Sequence, residues 1–416
     1  MRAFLLLAIF PSERTILVDR AKKTNIAAIA ASHGVNSFYL LFLIPILPII
    51  AKEFELSYVG VGLIASVYAF ANGVFQFPIS FLGDYLGRWR SVLAFSLLVQ
   101  SVPVFLYGLA PDYTVFLGFV FLSGLGCSAY HPPAIALITR EIPGRRGFIM
   151  GIFAGGGEVG SILTPILVGW MAVYFGGWRA AAHWALIPGV LMALFIWRHF
   201  EDVPRDRRPM KQAARATLRS FSRNKALILL ILLSTFRITG FRGLMTFLPL
   251  LLARNFGFDV QGVGWVLSAY FIVGAVATVI VGRWSDKGSK TKYIAAMTFL
   301  CGLALGSISM ATTTAGLLAS IAAVGILLTP VPSLVLAVGT ELVEERQRAS
   351  AIGLVYAVNE GASTLSPLIG GLIADSFSLQ FSFLFYGILF GVSTCIAMIL
   401  HHVNQGRPMA PAEGDG

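Results

Sequence analysis

Charge is what this chain has least of: Asp, Glu, Lys and Arg together make up 12% of its 416 residues, about half the share usual in a soluble domain. That scarcity excludes an ordinary soluble enzyme and a disordered chain. Three cysteines, Cys127, Cys301 and Cys395, lie scattered through apolar stretches. They form no paired spacing that would mark a disulfide framework or a zinc site. The sequence has neither a phosphate-binding loop nor a His-Glu-x-x-His element, which argues against an ATP-driven pump and a metalloprotease. What is abundant is apolar: 56%, or about 233 positions. A helix that crosses a hydrocarbon core needs roughly 20 apolar residues, so twelve need about 240 and would use almost the whole inventory. A transmembrane β-barrel would instead alternate polar and apolar residues.

Apolar segments of spanning length fall near 25–51, 57–83, 91–110, 114–138, 148–174, 181–200, 226–252, 260–283, 292–312, 315–339, 350–374 and 379–400, hereafter spans 1 to 12. Backbone polar groups in a bilayer must be satisfied within the segment, so these are expected to be helices. The predicted organisation is a cytoplasmic N-terminal segment (1–24), a six-helix half (25–200), a cytoplasmic linker (201–225), a second six-helix half (226–401) and a cytoplasmic tail (402–416). The linker is polar and basic, and part of it is expected to form a short helix on the membrane surface. The opening run RAFLLLAIFP is too short to span and lacks a small-residue cleavage site, so a signal peptide is not expected. Whether residues before about 20 belong to the native protein stays open.

The formal net charge is +11, and its placement is informative. With the amino terminus in the cytoplasm, 26 of the 31 Lys and Arg fall on cytoplasmic segments, 3 on external ones (Lys52, Arg179, Arg254) and 2 inside a span (Arg237, Arg242). The positive-inside rule then places both termini in the cytoplasm. The basic surplus signals topology rather than nucleic-acid binding, for which there is no folded basic domain.

The two halves repeat. At a constant offset of 202, Gly62 meets Gly264, Ser66 meets Ser268, Tyr68 meets Tyr270, Gly151 meets Gly353, Glu158 meets Glu360, Pro165 meets Pro367 and Gly169 meets Gly371. Spans 1 and 7 align after a one-residue shift that pairs Pro48 with Pro249. Two homologous halves of like orientation predict a substrate site at their interface near the membrane midplane.

Asp84, Gly87, Arg88 and Arg90 after span 2, and Gly282, Asp286, Lys287, Lys290 and Lys292 after span 8, resemble the loop signature of the major facilitator superfamily. The resemblance covers essentially the whole length. It implies an all-α membrane protein of twelve helices around a central cavity, and loop carboxylates and cations that hold one arrangement of the helices and release it in another. Ser80, Tyr85, Trp89 and Ser289 depart from the signature. Gly151, Gly160, Pro165 and Gly169 in span 5 resemble the motif shared by the family's exporters and antiporters, with Thr164 and Val168 replacing two glycines. These residues and Pro367 are expected to let helices approach and bend. The Ser32-His33-Gly-Val-Asn36-Ser-Phe-Tyr39 run, Leu47-Pro48 and Tyr130-His131-Pro132 resemble fosmidomycin-resistance-type efflux proteins. Ser37 stands where that subfamily has an acidic residue, and Val120 where many drug/proton antiporters carry arginine.

Ionisable groups inside spans are costly and point to function. Glu158 lies roughly 16 Å deep at 1.5 Å per residue, and Glu360 is its repeat mate. With Arg237 and Arg242 they sum to zero charge, which suggests pairing. A carboxylate withdrawn from water holds its proton firmly, and a neighbouring cation reverses this. A glutamate whose arginine partner comes and goes would therefore take up and release a proton. Proton coupling is assigned to Glu158, Glu360, His33 and His131. The substrate cavity is assigned to Arg237, Asn36, Tyr39, Tyr68 and Tyr270, against the alternative that each is a structural pair or packing group. Arg237 and Arg242 stand some 140° apart around the helix and are not expected to share a pocket. Gly155-Gly-Gly157-Glu-Val-Gly160 fits a dinucleotide fingerprint, but that fingerprint has meaning only between a strand and a helix. No cofactor or metal is expected.

The resulting expectation is a secondary transporter of the bacterial inner membrane, monomeric, whose partners are a small-molecule substrate, protons and lipid. It is expected to export a small amphipathic or anionic compound in exchange for protons. The alternatives are proton-symport uptake of a small organic acid, with Arg237 on the carboxylate, and a non-transporting sensor or scaffold.

Overall fold

The computed structural model describes residues 20–86, 88–141, 146–202, 223–343 and 348–405, and all their regular elements are helical. Eleven of the twelve spans are helical stretches long and apolar enough to cross a membrane. Span 11 is broken into Arg348–Ser363 and Ser366–Ser376 and carries Asn359, Glu360 and Asp375. The short basic helix expected in the linker falls on 203–222, outside the described residues.

Proline chemistry explains where the helices divide. Span 1 runs Arg20–Leu41, passes through a 3-10 turn at Ile44–Ile46 that holds Pro45, and resumes as Leu47–Glu53 with Pro48 in its first turn. A proline there costs no hydrogen bond, because first-turn N–H groups have no helical acceptor. Span 4 divides between Tyr113–Ser128 and His131–Glu141, and its mate span 10 between Thr314–Leu328 and Val331–Glu341. Both lower pieces open on prolines, Pro132–Pro133 and Pro332. Span 5, Arg146–Tyr174, runs unbroken through Pro165. Thr164 Oγ1 donates to the Gly160 carbonyl at 2.6 Å and Ser161 Oγ to that of Gly157 at 3.0 Å.

The span 5 glycines expected to permit bending lie within this one continuous helix. Two of the missing side chains in this run serve the close approach that was also expected. A Cβ on Gly156 would strike the Ala30 carbonyl and one on Gly160 would land 2.6 Å from the Gly34 Cα, while Gly151 faces open space. Span 5 therefore crosses span 1 at backbone distance, the arrangement small residues permit in membranes.

The 202-residue offset reappears as geometry. Gly62 of span 2 packs on the Pro367 carbonyl of span 11, and Gly264 of span 8 packs on the Pro165 carbonyl of span 5. Gly371 meets the Tyr58–Val59 backbone and Gly169 the Val260–Gln261 backbone in the same paired fashion. Each half thus supplies one glycine-lined and one proline-bearing helix to two equivalent seams.

The apolar cores show how the seams are closed. We call the end of the bundle at Asp202 and Asn224 the linker face, and the opposite end the far face. Toward the far face one core spans both halves, from Phe42, Ile46, Val61 and Phe116 to Phe247, Leu251, Leu267 and Phe383. Toward the linker face the described residues form two separate cores. Ile29, Leu97, Ile138 and Ile196 belong to one half, and Leu230, Ile294, Val338 and Leu400 to the other. Among the described residues the halves share one core at the far face and have separate cores at the linker face.

Candidate substrate and coupling site

At the midplane of the span 2–span 11 seam sits an ion pair. Arg242 on span 7 places a guanidinium nitrogen 2.5 Å from Glu360 Oε2 on span 11. Asn72 on span 2 donates to the same oxygen at 3.3 Å, from the other half of the molecule. Gly73 makes this possible: a Cβ there would lie 3.1 Å from the Glu360 backbone and side chain. Next to the pair, Tyr68 and Cys127 lie within electrostatic reach of Arg242. The Cys127 thiol faces Asn36 Oδ1 at 3.7 Å. Five spans (1, 2, 4, 7 and 11) thus bring Asn36, Tyr68, Asn72, Cys127, Arg242 and Glu360 together.

The pseudo-symmetric seam is built differently. Tyr270 on span 8 faces Thr329 and lies within electrostatic reach of Arg237 and Glu158. Tyr68 and Cys127, displaced by 202, become Tyr270 and Thr329, so the two tyrosine contacts are repeats of one another. The carboxylates are not. Where Glu360 has Asn72 and Arg242, the mate positions for Glu158 hold Gly274 and Leu41. Among the described residues Glu158 has no ion-pair partner, and it is exposed. The balance of two glutamates and two arginines therefore does not resolve into two pairs.

Arg237 points elsewhere, as the 140° separation requires. It is 6% exposed and borders a small cavity of about 30 Å³ with Ser234, Asn359, Val335 and Gly339. Asn359 donates to Ser234 Oγ at 2.7 Å and accepts from Thr235 Oγ1 at 3.0 Å. A cavity of this size with several polar partners is large enough for one water.

A third cluster lies in the first half. His33 Nδ1 meets the Phe153 carbonyl at 2.8 Å, and its ring stacks on Phe153 at 4.1 Å. His131 stands edge-on to it at 5.4 Å, and Ser32 Oγ shares a 2.7 Å hydrogen bond with Tyr130. Gly157 is forced here because a Cβ would enter the His33 ring. The glycine run thus seats an imidazole, with Glu158 next in the chain.

Tyr39 does not join these groups. Its hydroxyl donates to the Ala185 carbonyl at 2.7 Å and packs on Gly189 and Ser101, so it ties span 1 to spans 3 and 6. The described gate-loop residues make local contacts. Arg90 bonds to its own half and the start of the linker, with its N–H 2.9 Å from Asp202 Oδ1, its guanidinium 3.2 Å from the Phe200 carbonyl and 4.9 Å from the Trp197 ring centre. Lys290 Nζ pairs with Glu341 at 2.8 Å, again within one half. Arg88 precedes span 3 without a side-chain cap and is exposed. Asp286 ends span 8, and Lys287 is exposed in the turn that follows. The Asp84 side chain lies outside the described residues. Arg90 and Lys290 are thus held by neighbours on their own side of the seam.

Sequence reasoning missed Asn72 and Asp375. Asn72 carried a legible signal, standing one helical turn from Tyr68 in an apolar span.

Two six-helix halves joined at one face around a polar midplane define a membrane transporter rather than an enzyme. The Major Facilitator Superfamily profile matches residues 29–251 and 230–416, and the chain belongs to that family. Among curated proteins, the fosmidomycin resistance protein of Escherichia coli (strain K12) is 26% identical over 366 residues, covering 85% of this chain and 87% of its own. The gentisate transporter of Corynebacterium glutamicum is 31% identical over 147 residues, 34% of this chain and 32% of its own. In fold, the chain is similar to a bacterial homolog of the human lysosomal transporter Spinster, solved inward-facing and unoccupied. The TM-score is 0.86 at 17% identity, covering 95% of this chain and 100% of that one. The nucleoside transporter NupG follows with a TM-score of 0.78 at 12% identity, covering 91% and 99%.

Proposed function

We propose that this transporter exports a small amphipathic or anionic compound across the bacterial inner membrane in exchange for protons, with both termini in the cytoplasm. The observation that carries the reading is the unequal treatment of two repeat-related carboxylates. Glu360 is held by Arg242 and by Asn72 of the opposite half, whereas Glu158 stands opposite Tyr270 with no described ion partner. Glu158 is the group free to exchange a proton with the cavity. Glu360 keeps both partners while its seam is closed and loses Asn72 when span 2 moves away from span 11. Proton and substrate then bias one two-state element from its midplane. The imidazoles of His33 and His131 extend the polar path toward the linker face, and Asn36, Tyr68 and Tyr270 line the substrate side.

The similarity to the fosmidomycin resistance protein over most of both chains supports the direction and makes fosmidomycin the first compound to try. In everted vesicles, addition of the exported compound should drive proton movement, and Glu158→Gln should abolish that movement. Unchanged proton flux in the variant removes Glu158 from the coupling role. A second reading, uptake of a small organic acid with Arg237 on the carboxylate, is favoured by the partial similarity to the gentisate transporter. Accumulation of a labelled aromatic acid by whole cells would select it.

A further inference from the structure

Spans 2 and 11 run antiparallel along their seam, and at the far face the last turn of span 11 carries Asp375. Both of its carboxylate oxygens reach across to the other half. Oδ1 accepts from the Tyr58 N–H and Oδ2 from the Val59 N–H, each at 2.9 Å. These N–H groups belong to the first turn of span 2, Tyr58–Leu86, and so have no acceptor within their own helix. An anion there is further favoured by the helix dipole. The chain's own cap is modest, Ser57 Oγ accepting from Gly60 at 3.2 Å. The first turn of one half is therefore capped in good part by a carboxylate of the other.

Two more contacts across the seam converge on the same residue. The Arg254 guanidinium, at the end of span 7, lies 4.8 Å from the Tyr58 ring centre. A Cβ on Gly371 would fall 2.6 Å from the Tyr58 carbonyl, so only glycine lets span 11 come this near. The equivalent seam has no such carboxylate. The mate of Asp375 is Val173, and span 8 is capped by its own Asp259, which accepts from Gly262 at 2.7 Å.

We propose that Asp375 is the positioning residue of the far-face gate. Its carboxylate, bridging to Tyr58 and Val59, holds the far ends of the two halves together, and Arg254 clamps the Tyr58 ring from the same side. Opening toward the far face requires both hydrogen bonds to be given up. The site is exposed, so water replaces them, and the carboxylate biases the gate by roughly tenfold per charge-assisted bond lost rather than locking it. The inference needs only that the two halves alternate between two openings. It is independent of the coupling ion and of the direction of transport.

The test is a distance measurement on the full chain in lipid nanodiscs. Spin labels go at Lys52→Cys and Asn255→Cys, two exposed positions at the far ends of spans 1 and 7, with the exposed Cys395 replaced by serine. Pulsed dipolar spectroscopy should show a dominant short distance in this background. Asp375→Ala should raise the ratio of long to short distance about tenfold or more. Asp375→Asn, which keeps one acceptor, should fall between, and Asp375→Glu should return toward the parent. Arg254→Gln should shift the ratio the same way through the Tyr58 ring, which preserves the test if the alanine variant does not fold. Parent-like distances in both Asp375→Asn and Arg254→Gln overturn the proposal. Failure of Glu158→Gln to alter proton flux would leave these distances untouched, so the two readings fail separately.

Discussion

The Arg242–Glu360 pair permits a quantitative prediction. Its side chains are 16% and 19% exposed, neither dry nor open. Removing one partner of a fully buried pair costs about 3–5 kcal/mol, and an exposed pair contributes about 0.2–1 kcal/mol. The intermediate burial places Glu360→Gln and Arg242→Gln at about 2 kcal/mol each, chiefly because each strands the other charge. The double variant strands nothing, since two amides can hydrogen-bond to each other, and should lose about 1 kcal/mol or less. Unfolding of a 416-residue membrane protein is not expected to be two-state. The readout is therefore the order of apparent Tm values in one detergent, followed by loss of the monodisperse chromatographic peak on heating. Both single variants should melt several degrees below the parent, and the double variant above either. A double variant that falls by the sum of the singles would mean that the two groups do not interact. That outcome refutes the reasoning.

Other perturbations discriminate further. Gly62→Ala and Gly264→Ala each thrust a Cβ at a backbone carbonyl, of Pro367 and Pro165 respectively. Both should lower transport and thermal stability, whereas Gly151→Ala, facing open space, should leave both within error. Tyr39→Phe removes one buried hydrogen bond to Ala185 and should cost about 1 kcal/mol of stability with substrate affinity unchanged; a large affinity loss would return Tyr39 to the cavity. Lys290→Ala breaks a pair whose Glu341 partner is 58% exposed, and its melting temperature should match the parent's within about a degree of heating.

Much of the architecture was legible in the chain because a duplicated sequence must pack twice. The offset that aligned Gly62 with Gly264 and Pro165 with Pro367 is the one that sets each glycine on the other half's proline carbonyl. Spans 4 and 10 part where their prolines stand. The site was legible in kind but not in pairing. Four opposite charges in apolar helices signalled a functional midplane, yet charge balance alone could not say that Leu41 and Gly274 leave Glu158 without the company Glu360 keeps. Tyr39 shared a helical stripe with His33 and Asn36, but periodicity does not distinguish a cavity from a neighbouring helix, and Ala185 and Gly189 claimed it. The small residues of span 5 signalled close approach, but not that span 1 would be the helix approached. Asp375 carried no signal in the sequence. Its role depends on which helix begins beside it, which is a property of the fold.

The most direct test of coupling is proton movement in proteoliposomes loaded with a pH-sensitive dye, using a compound to which deletion strains become sensitive. The wild-type protein should move protons against the substrate gradient. Glu158→Gln should still exchange labelled substrate across the membrane while moving no protons. Proton flux that follows substrate equally in both proteins would contradict the assignment of the unpaired carboxylate as the coupling group.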